Sequence, residues 1–255
     1  MPERYIYVCE DSLEGILTAV YDAYAGKHGH AVNQVQTISE CMSQELFATY
    51  ITVETDFDKA MKVANTLQRR GYHEVYEHIQ KAAISCYEDK GEVIYRIIIL
   101  ALAMGEKVLN HLTNPHVERL MELVRYTNNE LLRQLEFLRF QELKSGVLFA
   151  RINPKNAVLP FMAEHFSDRF SGENWVIADT VHRTVLVHEK EKKCSYMTME
   201  EVDFDSLVLE MSEQEEEWKR LWKHFVDSIA IKERMNPKLQ RQLLPLRYRK
   251  YMVEF

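Results

Sequence analysis

Residues 147–189, VLFARINPKNAVLPFMAEHFSDRFSGENWVIADTVHRTVLVHE, hold three short apolar blocks separated by Pro, Gly and Asn. The blocks are VLFARI (147–152), ENWVIADT (173–180) and TVLVHE (184–189). Runs of that length, alternating or continuously apolar between turn residues, predict strands. Between the first two, PFMAEHFSDRF (160–170) spaces Phe161, His165, Phe166 and Phe170 as a helix would. A small sheet with a helix packed on it is therefore expected here.

Working outward, residues 5–8 are β-prone and lead into a helix capped by Asp11 or Ser12, with Leu13, Ile16, Leu17 and Val20 at helical spacing. A second strand is expected over 46–53 (LFATYITV). Helices follow over 56–70, with Gly71 as the stop, then about 72–87, about 92–104, and from Pro115 through Phe140. Beyond the sheet, a helix over 213–229 places Trp218, Leu221, Trp222, Phe225 and Ile229 on one face, and Asn236-Pro237 opens a short closing helix. The pattern gives a helix-rich α+β fold with a small mixed sheet and a middle helical insertion. It reads as a single domain, with two lobes, 1–144 and 145–255, as the possible subdivision.

At 255 residues, with 46% hydrophobic and 28% charged, the composition is that of a globular protein. The first residues, MPERYIYVCEDS, carry charges where a secretory signal needs an apolar run, so a cytoplasmic location is expected. The longest apolar stretch, 93–104, is too short to span a bilayer. Cys9, Cys41, Cys86 and Cys194 form no CxxC pair and read as reduced, mostly buried thiols. His28 and His30, His73 and His78, and the strand-bracketing His182 and His188 lack the HExxH spacing, so no metal site is expected. No GxSxG elbow, phosphate-cradling glycine loop or CxxxCxxC cluster motif occurs. The sequence thus offers no recognisable catalytic motif and no cofactor.

Charge is segregated beneath the net −7. Glu200, Glu201, Asp203, Asp205, Glu210, Glu213, Glu215, Glu216 and Glu217 are interrupted by no base, whereas from Lys219 to Lys250 ten Lys/Arg face only Asp227 and Glu233. A basic arm with interleaved aromatics suits nucleic acid, Lys and Arg meeting phosphates while Tyr248 or Tyr251 stacks on an unpaired base. The candidates in the arm are Arg234, Asn236, Gln240, Arg241, Arg247, Tyr248 and Arg249. The competing expectation is that the acidic run neutralises the arm internally. FLRFQE and HFSDRF add Arg139 and Arg169, each flanked by aromatics and able to reach a phosphate, or else to pair with Glu142 or Asp168. Asp11 and Glu14 suit helix capping, or a shared proton or metal.

Three segments together are more specific: EDSLEGILTAVYDAY (10–24), EFLRFQELKSGVLFARINPKNAVLPFMAEHFSDRF (136–170) followed by NWVIAD (174–179), and WKHFVDSIAIKERMNPKLQRQLLPLRYRKY (222–251). Across nearly its full length the chain resembles a bacterial family of uncharacterised proteins named only as probable DNA metabolism proteins. The matching positions include Asp11, Glu14, Gly15, Arg139, His165, Arg169, Asn236, Gln240, Arg247 and Tyr248; at Arg249, related chains carry an aromatic. The resemblance implies a DNA-repair context, with DNA and either a radical-SAM repair protein or a uracil-DNA-glycosylase-like protein as partners. The expected role is an accessory or adaptor protein. The alternatives are a DNA-processing enzyme built on Arg139, His165, Arg169 and the Asn236 region, and a protein-binding scaffold docking through Trp218 and Trp222.

Overall fold

The structure, a computed structural model, describes residues 4–38, 45–199 and 210–255. Cys41 and the acids Glu200, Glu201, Asp203 and Asp205 lie outside the described residues. The chain forms two compact units, Met1–Asn128 and Asn129–Phe255.

In the first unit, β1 (Arg4–Cys9), β2 (Asn33–Thr37) and β3 (Ala48–Thr52) form a parallel sheet in the order β2-β1-β3. The helix α1 (Leu13–Ala25) is the crossover that a parallel β1–β2 pair requires. It is capped by Ser12, whose Oγ accepts the Gly15 N–H at 3.0 Å. Asp11 turns instead to the Lys90 ammonium at 2.5 Å and does not cap the helix, while Glu14 lies in its first turn, where the helix dipole favours an acid. A Cβ on Gly15 would lie 2.5 Å from the Glu10 carbonyl oxygen, which explains the glycine. Three further helices follow: α2 (Phe57–Arg69), stopped before Gly71 at φ +80°, α3 (His73–Ala83) and α4 (Lys90–Met104). Ile16, Leu17 and Val20 of α1 share one core with Ile94, Ile97 and Ile98 of α4.

The boundary between units falls inside α5 (Pro115–Phe137), ahead of the 144/145 division read from the sequence. The reason is that Glu130, in the second half of α5, bonds to the 155–156 backbone. The second unit carries β4 (Gln141–Glu142), β5 (Leu148–Ile152), α6 (Leu159–Arg169), β6 (Trp175–Asp179), β7 (Thr184–His188) and β8 (Ser195–Thr198). The sheet runs β4-β5-β6-β7-β8 and is mixed, the β5–β6 pair alone being parallel, with α6 as its crossover. Phe166 of α6 packs edge-on to Phe140 at 5.4 Å and to the fully buried Trp175 at 6.2 Å. Two helices close the chain, α7 (Glu213–Ile229) and α8 (Pro237–Leu243).

The α+β architecture expected from the sequence is present, with α2 to α5 standing between the two sheets in chain order. Among the described residues, no helix is long and apolar enough to cross a membrane. The expectation of mostly buried thiols fails: Cys9 is buried, and burial pushes its thiol up to about 12, but Cys86 is exposed and Cys194 half-buried.

Candidate nucleic-acid groove

The chain leaves α5 at Phe137 and turns into β4 through Leu138, Arg139 and Phe140. There it faces the C-terminal turn of α6, whose residues His165 and Phe166 and then Arg169 and Phe170 recur on one helical face. Together these line an open depression of about 700 Å³. Phe140 meets Phe170 edge-on at 5.3 Å, so the aromatic floor is fixed by packing while the polar tips stand at the rim. His165 and Arg169 are exposed.

Arg139 donates from Nη2 to Glu254 Oε1 at 2.9 Å and from Nη1 to the Leu138 carbonyl at 3.2 Å. The Arg169 guanidinium lies 5.7 Å from the Phe170 ring centroid and makes no ion pair with any described residue. Neither arginine pairs with the acid expected as its structural alternative, Glu142 or Asp168. The groove therefore offers two guanidinium groups and an imidazole around aromatic edges, the groups that bind phosphate and stack on bases.

The C-terminal arm divides. Arg234, Gln240 and Arg241 are exposed, and neither arginine forms an ion pair with a described acid. The acidic run does reach the first two bases of the arm, Glu216 pairing with Lys219 and Glu217 with Arg220, while Arg234 and Arg241 pair with none of Glu210 to Glu217. Asn236 caps α8, its Oδ1 accepting the Leu239 N–H at 3.0 Å, and it lines no part of the groove. Tyr248, expected to stack on a base, is only 6% exposed; Phe137 packs on it and the Arg247 guanidinium lies 4.6 Å from its ring centroid. Burial pushes its phenol up. Arg249 donates to the Leu244 carbonyl at 3.2 and 3.1 Å and covers the Phe255 ring at 4.2 Å. Tyr248 and Arg249 thus each have partners within the fold.

Arg247 belongs to a hub that sequence reasoning missed. Glu130, its side chain 2% exposed, accepts from the Asn156 N–H at 2.7 Å, from Asn156 Nδ2 at 2.6 Å and from the Lys155 N–H at 3.1 Å, and pairs with Arg247 at 3.2 Å. At the end of β6, Asp179 is fully buried and receives His182 Nδ1 at 2.7 Å. The i, i+3 spacing of Asp179 and His182 was the available signal. Burial alone would lower the imidazole, but the Asp179 hydrogen bond and charge, the Lys155 backbone and Glu130 together outweigh it and raise it above 6.5. The protonated ring then stabilises the folded unit fully below about pH 6.5, and that contribution disappears as pH rises through the raised folded value. Chemical denaturation at about pH 6 and about pH 9 should show wild type losing more stability than His182→Gln over that interval. Equal losses in the two proteins would remove His182 as the cause.

Among the described residues, no group of three His, Cys, Asp or Glu could hold a metal ion. His30 Nδ1 meets the Tyr95 hydroxyl at 2.9 Å, His78 Nδ1 meets the Glu74 carbonyl at 2.8 Å, and His188 stacks on Trp175 at 5.0 Å. With this geometry established, the family can be stated. A family model described as "Domain of unknown function (DUF4130)" matches residues 88–254. The chain belongs to that family. The groove residues, the Glu130 hub and α8 of this DUF4130 member all fall within the match. No curated protein matches the chain. A solved structure described as a member of the s1p family of ribosomal proteins, DHH domain, is similar at 12% identity and a TM-score of 0.32, covering 74% of each chain.

Proposed function

We propose that this protein is an accessory factor of bacterial DNA repair that binds single-stranded nucleic acid along the groove of its second unit. The observation that carries the reading is the convergence of Arg139, His165 and Arg169 on one depression edged by Phe140 and Phe170. Arg169 is exposed and meets a phosphate directly, Arg139 does so from its place beside Glu254, and aromatic edges accept bases without sequence preference. Arg234 and Arg241 extend the exposed basic surface of the same unit. The repair context comes from the resemblance of the three quoted segments. An enzyme built on the same side chains would also need Asn236, which the groove leaves out. Fluorescence anisotropy with single-stranded, duplex and uracil-containing DNA over a salt series tests the reading. The expected result is binding to single strands that weakens steeply with salt; absence of binding at low salt would sink it.

A second reading has its own support. Trp218 and Trp222 are 59% and 45% exposed, and α7 buries none of its residues. An apolar helical face of that kind suits a partner protein. The resemblance suggests a radical-SAM repair protein or a uracil-DNA-glycosylase-like protein. Replacing both tryptophans with alanine should leave the melting temperature unchanged and abolish co-elution with that partner. A large drop in melting temperature would instead assign the pair to packing.

A further inference from the structure

In the first unit, α1, α2 and α4 meet around a recess of about 240 Å³. Val20, Leu67 and Ile98 line it and are almost fully buried, so its floor is the core of the unit reached from outside. Val63 and Leu102 add to the apolar wall. Along one edge, Lys62, Thr66 and Arg70 recur at every fourth position of α2 and its C-cap, all three exposed. Tyr21 and Tyr24 of α1 also line the recess.

The polar groups at this mouth are one-sided, since none of the lining residues is acidic. Lys59 and Lys62 place their ammonium groups 5.9 and 5.5 Å from the Tyr21 ring centroid, but Lys59 has a carboxylate, Asp22 at 2.8 Å, while Lys62 pairs with no described acid. The Arg70 guanidinium also lacks a described acid, and makes a long hydrogen bond of 3.5 Å to the Leu102 carbonyl. The Tyr21 and Tyr24 hydroxyls bond to no described residue, and Thr66 gives its proton to the Lys62 carbonyl at 2.6 Å. Donors above an apolar floor call for an anionic head on an apolar body. Sites for drug-sized ligands hold roughly 300–1,000 Å³, so this smaller recess suits a body of about eight non-hydrogen atoms, at the ~30 Å³ share of a water-sized group. Lys62 and Arg70 stand about 12 Å apart along the helix axis, at ~1.5 Å per residue, so one head meets one cation and a singly charged carboxylate is the matching group.

We propose that this recess binds a small apolar carboxylate, with its tail on Val20, Leu67 and Ile98 and its head on the Lys62 ammonium. Lys62 is the partner because it has no polar contact of its own, whereas Arg70 already reaches a carbonyl. The site does not rest on the nucleic-acid reading, whose groove is lined by residues of the second unit.

The experiment follows the methyl signals of Val20, Val63, Leu67, Ile98 and Leu102 by NMR in the full chain as octanoate, octan-1-ol or octylamine is added. Octanoate should shift these methyls and bind about tenfold more tightly than octan-1-ol, the effect of one charge-assisted contact, and octylamine should bind no better than the alcohol. Lys62→Gln should bring octanoate down to the affinity of octan-1-ol and leave the alcohol unchanged. Arg70→Gln should change either by no more than about twofold, as expected for a screened charge at a distance. Thr66→Phe, at an exposed position, should fill the mouth and remove binding of both. Equal affinity for the three ligands, or a preference for octanoate that survives in Lys62→Gln, would overturn the assignment of the head. Absence of methyl shifts with any of them would remove the site. Shifts with a short Glu-rich peptide carrying one Phe, but not with octanoate, would overturn the small-ligand assignment in favour of an anchor for a partner protein.

Discussion

Replacing Glu130 with alanine is expected to lower the unfolding free energy of the second unit by about 3–5 kcal/mol, the range for removing one partner of a buried ion pair. The substitution leaves the Asn156 amide, two backbone N–H groups and the Arg247 guanidinium without their acceptor. Each buried donor left unpaired carries a desolvation penalty of its own, about 1–3 kcal/mol. Arg247→Gln should cost much less, because Glu130 keeps the other donors and the Arg247 side chain is 37% exposed. Urea denaturation followed by a probe of the second unit separates the two. Equal, small losses for both variants would show that the carboxylate is not the organising group.

Replacing Arg139 and Arg169 together with glutamine should weaken single-stranded DNA binding by about 100-fold at low salt, taking about 1.5 kcal/mol for each lost contact to phosphate. The dependence of log K on log salt should flatten by about 1.4, since each phosphate contact on a single strand contributes about 0.7. Arg169→Gln alone should leave thermal stability unchanged, because its side chain is exposed and pairs with no described acid. Arg139→Gln should lose some stability, since it strips Glu254 of its partner. Unchanged affinity in the double variant would move the interface off the groove. A large stability loss in Arg169→Gln would make the aromatic-flanked arginine a packing element.

Local pattern carried the fold class far. The strand blocks over 147–152, 173–180 and 184–189 and the intervening helix correspond to β5, β6, β7 and α6. The strand β2 escaped notice because NQVQT offers one aliphatic residue, Val35, and its stability comes from pairing with β1 and from the Asn33 amide, which donates to the Ala23 carbonyl at 2.6 Å. Tertiary pairing there overrides a weak local preference. The short edge strands β4 and β8 left no periodic signal of useful length. Candidate-site legibility divided by range of interaction. Arg139, His165 and Arg169 were visible because each sits beside aromatics in its own segment, and the fold brings those segments together. The roles of Arg247 and Tyr248 depend on Glu130 and Phe137, which are distant in sequence and cannot be inferred from charge spacing.

The contact between Glu130 and Arg247 also has a kinetic side. It closes a long stretch of chain, and the entropy lost in such closure delays its formation until much of the second unit is in place. An interaction that forms after the rate-limiting barrier contributes little to the speed of folding and mainly slows the reverse step. By that argument the pair bears on how fast the folded second unit comes apart more than on how fast it forms. Arg139 is tied to the same C-terminal segment through Glu254 at 2.9 Å, so a variant that loosens the Glu130 contact should be checked for faster unfolding before any change in binding is assigned to the groove.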